Sequence, residues 1–306
     1  MTLFITGCSQ KKYEKNLFYM DTYINISIYA NNQNTANDAF KEAEEIYEKY
    51  QNLTNIYDQN SELSKINNST EKSITINKDL KYILNLSHEW LIKSNGYFNI
   101  NIGELTTLWK SKKNDGVLPT KEELDGINIT DFKIIDDKIK NENIYFDLGG
   151  VAKGYATEEV GKQLDKMGID NYLINAGGNI LAGNKPGSEK FQIGIENPNK
   201  AGEVYEVVKG EKISVVTSGG YERFFEIDEK RYHHIIDPKT KYPSNNMLSA
   251  TVVTKNSSLA DILSTTIFLM NKKDAINLIE SIPNTECILY VSDKEIIKSS
   301  GFKNYE

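Results

Sequence analysis

The chain has 306 residues, 39% of them hydrophobic and 26% charged. That is enough apolar material for one large core or two fused lobes, and it excludes disorder, which needs low hydrophobicity together with high net charge. The net charge of −7 excludes a general binder of nucleic acid, whose phosphate backbone asks for a basic footprint, and no run approaches the roughly 18 apolar residues of a membrane-spanning helix.

The chain opens Met1-Thr-Leu-Phe-Ile-Thr-Gly-Cys8. The apolar run ending in Ile5-Thr6-Gly7-Cys8 resembles a bacterial lipobox, in which Cys8 becomes the lipidated first residue after signal cleavage. It has neither the basic n-region nor the apolar h-region of a full signal peptide. Residues 9–16 are polar and read as a tether. This divides the chain into a leader remnant and tether over 1–16 and one domain over 17–306.

Residues 18–30 alternate apolar and polar from Tyr23 onward, which predicts a half-buried strand. Ala36, Ala39, Phe40, Ala43, Ile46, Tyr47 and Tyr50 recur at helical spacing, with Asn34 or Thr35 as the cap. A second helix is predicted over 77–94, with Leu80, Ile83, Leu84, Trp90 and Leu91 inward and Asn95-Gly96 as its end. Residues 111–130 are charged and turn-rich and read as a surface excursion. Short strands follow at 132–135 and 143–147, then a helix over 152–167 ending near Gly168. Several β-like runs occupy 171–254. One of them, 221–236, reads as a hairpin turning at Asp228-Glu-Lys. Helices over 257–270 and 272–281 precede strands near 286–291 and 294–298. Cys287, in the first of these strands, reads as a buried inert thiol, and two cysteines so far apart indicate no zinc site or disulfide scaffold. The mixture predicts an α+β fold of mixed or antiparallel sheets with packed helices. It shows no βαβ alternation and no Gly-x-Gly-x-x-Gly after a strand.

Four clusters could carry chemistry. In Phe146-Asp-Leu-Gly-Gly-Val-Ala-Lys-Gly-Tyr-Ala156 an acid and a glycine pair precede a helix with Lys153 in its first turn. Helix starts suit phosphate, and glycines let backbone approach a ligand, but the segment is equally a tight β-to-α turn. Asn175-Ala-Gly-Gly-Asn179 reads on its own as a β-turn. Thr217-Ser-Gly-Gly-Tyr-Glu-Arg223 and Arg231-Tyr-His-His-Ile-Ile-Asp-Pro238 bring two of the three histidines together, one ring to each strand face, while His88 sits mid-helix and reads as structural. In Leu259-Ala-Asp-Ile-Leu-Ser-Thr-Thr266, Asp261 shares a helix face with Ser264 and Thr265. Such hard oxygens suit Mg²⁺, and they equally suit an inward-facing polar turn.

In this order the clusters resemble the ApbE family of FAD:protein FMN transferases, from about residue 17 to 300. The segments Asp-Leu-Gly-Gly-Val-Ala-Lys-Gly-Tyr-Ala, Asn-x-Gly-Gly, Thr-Ser-Gly-x-Tyr-Glu-Arg, His-Ile-Ile-Asp-Pro and Ala-Asp-x-Leu-Ser-Thr are all present. The resemblance implies flavin contacts at Met20, Tyr57, Phe98, Asn99 and Ile100, although the family more often has Asp where Asn99 stands. It implies FAD binding at Asp147 and Lys153, with Ser264 a neighbouring FAD contact and Ile235 or Ile236 lining the flavin pocket. The metal site would be the Gly150 carbonyl with Asp261 and Thr265, and His234 the base. Lys241 departs from the pattern, because it replaces a turn glycine in Asp237-Pro-Lys-Thr-Lys-Tyr-Pro243. If that glycine needed positive φ, the loop must differ here.

By this resemblance the protein is a Mg²⁺-dependent enzyme that moves FMN from FAD to a Thr or Ser hydroxyl of an extracytoplasmic acceptor, an electron-transfer protein, and releases AMP. It would work at the extracytoplasmic face of the cell membrane, anchored through Cys8. Two rivals share the ligand set: an FAD diphosphatase yielding FMN and AMP, and a lipid-anchored flavin-binding protein without catalysis.

Overall fold

In the computed structural model, which describes residues 10–140 and 143–306, the chain begins with a hairpin of β1 (Lys11–Tyr19) and β2 (Thr22–Ala30). Tyr19 pairs with Thr22, so Met20 and Asp21 alone make the turn, with φ of 53° and 58°. Two left-handed residues give the primed turn that matches strand twist, here without glycine. Residues 11–16 are therefore strand and not the tether expected. Leu17 is buried, Tyr13 packs against the core, and Lys15 pairs with Glu44, so the polar composition hides a period of two. Cys8 lies outside the described residues.

Helix α1 (Gln33–Thr54) is capped by Asn32, whose side chain accepts from the Thr35 N–H at 3.0 Å, and not by Asn34 or Thr35, two and three residues further on. Its Ala36, Ala39, Phe40, Ala43, Tyr47 and Tyr50 are buried, as their spacing requires. A short α2 (Glu62–Asn67), β3 (Ser73–Thr75) and α3 (Lys78–Lys93) follow. The stretch 111–130 lies mostly at the surface, as read, but it is partly helical: it holds the end of α4 (Gly103–Asp115), whose Leu105 and Trp109 are buried before it, and α5 (Lys121–Gly126), which buries Leu124. Next come β4 (Ile134–Ile135) and β5 (Lys138–Lys140), which with β3 make a three-stranded sheet in the order β3-β5-β4. No strand forms at 143–147. There the Phe146 N–H and carbonyl both bond the Asn67 side chain at 2.8 Å, and the Asp147 N–H bonds the Ile100 carbonyl.

Helix α6 (Ala152–Lys166) leads into β6 (Tyr172–Ala176), β7 (Asn179–Ala182), β8 (Phe191–Glu196), β9 (Val204–Gly210) and β10 (Ile213–Gly219). The hairpin β11 (Phe224–Ile227) and β12 (Lys230–His233) turns at Asp228 and Glu229, as its sequence indicates. The chain closes with β13 (Ser249–Thr254), α7 (Ser257–Leu269), α8 (Lys272–Glu280), β14 (Glu286–Ser292) and β15 (Glu295–Lys298).

One eight-stranded sheet, ordered β1-β2-β6-β7-β10-β13-β14-β15 and antiparallel at every pairing, is the backbone of the molecule. Helices α1, α6 and α7 pack on one face over the main core, which includes Ile24, Ile26, Ile28, Ala156, Ile262 and Phe268. The β8–β9 hairpin covers part of the other face through Phe191, Ile193, Ile195 and Val208. A separate small core of Leu105, Trp109, Leu124, Tyr232 and Ile236 joins α4 and α5 to the β11–β12 hairpin. This is the α+β arrangement, with antiparallel sheets and packed helices, that the sequence implies.

Candidate active site

The start of α6 and the second turn of α7 meet at the centre of the helical layer. Asp261 is 3% exposed, and its Oδ2 accepts from the Gly154 N–H at 2.8 Å. A carboxylate is favoured there, because the first N–H groups of a helix have no partner within it. The approach depends on glycine. A Cβ at Gly154 would lie 2.5 Å from the Ser257 carbonyl and 2.6 Å from the Asp261 Cβ. Lys153 Nζ stands 3.8 Å from Asp261 Oδ1. One turn further along α7, the Ser264 hydroxyl donates to the Asp261 carbonyl, and Ser218 of β10 reaches Ser264 Oγ at 2.9 Å and Thr265 Oγ1 at 3.4 Å. The Gly150 backbone lies against Thr265 on one side and the buried Phe98 ring on the other, for a Cβ there would meet them at 3.5 and 3.2 Å.

This donor set fits Mg²⁺. It offers one buried carboxylate, one hydroxyl and a neighbouring backbone carbonyl, all hard oxygens. Mg²⁺ takes few protein ligands and completes its shell with water and phosphate. The described residues contain no cluster of three or more His, Cys, Asp or Glu side chains that would suit a softer or more fully chelated ion.

Asp147 forms the adjoining wall. Its Oδ2 accepts from Thr106 Oγ1 at 2.8 Å and its Oδ1 from the Gly149 N–H at 2.8 Å, so its carboxylate is fixed. Ile100 is buried beside it, and the Asn99 side chain accepts from the Asn101 N–H, an Asx turn that shapes the approach. Tyr57 is exposed with the Lys110 ammonium 3.3 Å above its ring. Partial burial first, then the nearby Asp147, Tyr145 and Asp21, push its hydroxyl up to about 12. Met20 lies in the β1–β2 turn, and its N–H donates to Gln51 Oε1 at 2.9 Å.

The histidine pair divides as strand alternation requires. His233 is buried, its Nε2 donates to the Ser244 carbonyl at 2.5 Å, and its Nδ1 accepts from the Ile235 N–H. His234, just past β12, presents its ring to solvent. Its Nδ1 lies 3.3 Å from the Arg223 carbonyl. A carbonyl can only accept, so Nδ1 carries the proton and Nε2 keeps its lone pair. Crowding by the surrounding protein lowers the His234 pKa to about 4. Arg223, His233 and Lys153 act in the same direction, against the Arg223 carbonyl bond. The imidazole is therefore neutral at pH 7. Ile235 enters the main core and Ile236 the small one beside Trp109, so the two side chains after His234 anchor in different cores.

The structure thus brings Gly150, Asp261, Ser264, Thr265 and Phe98 into one contact group with Lys153, and places Asp147, Ile100 and Tyr57 on a neighbouring wall. Sequence reasoning passed over Thr106, Ser218, Arg223 and Glu222. Arg223 ties His234 to the first hairpin: its guanidinium donates to the Asp21 carboxylate at 3.0 Å and to the Asp21 carbonyl. Glu222 lies near the Gly177-Gly178 turn, and burial raises its pKa against the pull of Lys153 and Arg223. Ser218 and Glu222 sit inside a motif already noted. Thr106 had no local signal.

A fold of this kind with this site is that of a flavin-transferase family. The chain belongs to the ApbE family, whose model matches residues 20–289. It is 29% identical over 289 residues to the FAD:protein FMN transferase of Haemophilus influenzae, covering 88% of this chain and 84% of that protein. The FAD:protein FMN transferase of Treponema pallidum is also 29% identical, over 74% of this chain and 70% of that one. Among solved structures, the ApbE protein of Thermotoga maritima superposes with a TM-score of 0.89 at 25% identity, covering 97% of this chain and 99% of that chain. A mutant of the flavin transferase ApbE from Vibrio cholerae gives 0.85 at 26% identity, over 97% and 100%.

Proposed function

We propose that this protein transfers FMN from FAD to a Thr or Ser hydroxyl of an extracytoplasmic acceptor protein and releases AMP, with Mg²⁺ as its metal, while anchored to the cell membrane through Cys8. The names of its relatives support the reaction. On this chain the reading is carried by one observation: a neutral His234 with Nδ1 tied to the Arg223 carbonyl and Nε2 free, near Lys153 of the phosphate-binding helix start.

In this mechanism Asp147, Lys153 and the Phe98–Ile100 segment bind and orient FAD, with Tyr57 and Met20 against the flavin. Asp261, Thr265 and the Gly150 carbonyl would hold Mg²⁺, which when bound neutralises diphosphate charge and stabilises the leaving AMP. His234 Nε2 takes the proton of the acceptor hydroxyl as its oxygen bonds the FMN-side phosphorus. The phosphorus–oxygen bond to AMP breaks, AMP leaves with the electron pair, and the imidazolium returns its proton to solvent. A positioned base of this kind contributes about 10²–10⁴ in rate.

The test is product analysis with FAD, Mg²⁺ and a candidate electron-transfer subunit bearing a target Thr. Flavin fluorescence on the acceptor in a denaturing gel, with one AMP released per flavin attached, is expected. AMP and free FMN without labelled acceptor would make the protein a diphosphatase, and FAD bound but uncleaved would make it a flavin-binding protein.

A further inference from the structure

The loop after the base keeps the left-handed backbone a glycine would give it. Lys241 has φ of 63°, its N–H donates to the Asp237 carbonyl at 2.7 Å, and the Asp237 N–H donates to the Tyr242 carbonyl. The loop is therefore not rebuilt around the lysine, contrary to the sequence expectation. A side chain with a Cβ rarely adopts this conformation, so something must hold it. Three bonds leave the loop from this one residue. Lys241 Nζ donates to the Leu124 and Ile127 carbonyls, each at 2.8 Å, at the carboxyl end of α5. Helix ends leave such carbonyls without partners and favour a cation. The Lys241 carbonyl accepts from Trp109 Nε1 at 2.9 Å on α4. Trp109 stacks on Tyr232 of β12, two residues before His234, and packs edge-on to Tyr242. On the same helix, Thr106 holds Asp147.

The β11–β12 hairpin has no pairing to the eight-stranded sheet. Beside the Arg223–Asp21 link and the burial of His233 and Ile235, what joins it to α4 and the Asp147 wall is the small core around Trp109 and these bonds. We propose that Lys241 is a positioning residue: its ammonium and carbonyl staple the loop after His234 to α4 and α5, and so fix the base relative to the wall that binds FAD. This rests on the transferase reading above.

Three variants of the full chain separate the staple from simple loop stability. Lys241→Gly relieves the backbone and removes the ammonium, Lys241→Met removes only the ammonium, and Lys241→Arg keeps the charge and its donors. Lys241→Gly is expected to melt at or above the wild-type temperature and to bind FAD within twofold. Its kcat for flavin transfer should fall about 10–100-fold with KM for FAD unchanged, as misplacement of a reacting group by about an ångström does. Lys241→Met should lose kcat similarly, and Lys241→Arg should keep at least half. The Trp109 indole N–H, followed by ¹⁵N NMR, should exchange faster in the Gly and Met variants. Wild-type kcat in Lys241→Gly overturns the proposal, as does a loss that tracks melting temperature and FAD affinity across all three. If the wild type neither transfers FMN nor releases AMP, the transferase reading fails separately, and unchanged indole exchange in Lys241→Gly then overturns the staple itself.

Discussion

Both ring nitrogens of His233 are committed to backbone, whereas His234 commits one, and that difference assigns their roles. His234→Ala is expected to bind FAD normally and lose most flavin transfer. His233→Ala should transfer within a few-fold of wild type but melt lower, because the Ser244 carbonyl and Ile235 N–H lose their partner, at about 1–3 kcal/mol. Flavinylation followed by gel fluorescence, beside an FAD titration, checks both; a dead His233→Ala with a normal melt would reverse the assignment. The pH dependence has a definite sign. His234 has its pKa lowered in the fold to about 4 from an ordinary 6.5, so its Nε2 stays a base through pH 6.5 and is lost only as pH falls toward the folded value. The acid limb of kcat should therefore lie below pH 5. The unfolded chain takes up protons first, so the contributions of His234 and of His233, also lowered by burial, to stability are present above the unfolded value and lost as pH falls below it. An acid limb centred near 6.5 would contradict the lowered pKa. Asp261→Ala should abolish Mg²⁺-dependent FAD cleavage, and full activity of the folded variant at limiting Mg²⁺ would rule out this metal site.

At the scale of elements, the site depends on how closely α6 and α7 cross. Gly154→Ala puts a methyl against the Ser257 carbonyl, which is backbone and cannot rotate away. The helices must part, at about 1–3 kcal/mol. Asp261 then loses its bond to the Gly154 N–H, so the concentration of Mg²⁺ needed for half-maximal rate should rise. Gly126→Ala, with open space around it, is the control and should leave both melt and Mg²⁺ response unchanged. Equal effects of the two would show that the crossing distance does not matter. Helix α1 was legible because its buried residues, from Ala36 to Tyr50, repeat at helical spacing, whereas α7 is buried almost all round and was legible as an apolar run too long for a strand. Strand β1 and helix α4 were hidden by charge. In β1, Lys12 and Lys15 find acidic partners at its surface, and α4 buries little beyond Leu105 and Trp109 against a core supplied by other segments. The same holds at the site. Asp147 with Gly150 and Asp261 with Thr265 are close in sequence and could be read as motifs. Thr106 with Asp147 and Ser218 with Ser264 are joined across 41 and 46 residues, and only the fold brings them together.

For the whole molecule, the proposed anchor at Cys8 would set where the site stands relative to a membrane. Strand β1 is nine residues long and spans about 27 Å from Lys11 to Tyr19. Cys8 precedes its Lys11 end by three residues, while the Met20-Asp21 turn at its other end is tied through Arg223 to the base. A lipid on Cys8 would hold the Lys11 end of the sheet near the bilayer, since three residues reach at most about 11 Å. The catalytic end would lie up to the length of the strand further out, within reach of an acceptor domain standing off the membrane. Anchoring and chemistry then sit at opposite ends of one strand and should separate cleanly on mutation. Expressed behind a lipoprotein signal, the wild type should partition with membranes and Cys8→Ser with the soluble fraction, because a mature lipoprotein carries several acyl chains where one alone binds only marginally. With a soluble acceptor domain, the kcat of Cys8→Ser should equal that of the wild type within twofold. Fractionation followed by the gel assay on both fractions decides it. Equal partitioning of the two forms removes the anchor, and a soluble but inactive Cys8→Ser would place Cys8 in the chemistry instead of in anchoring.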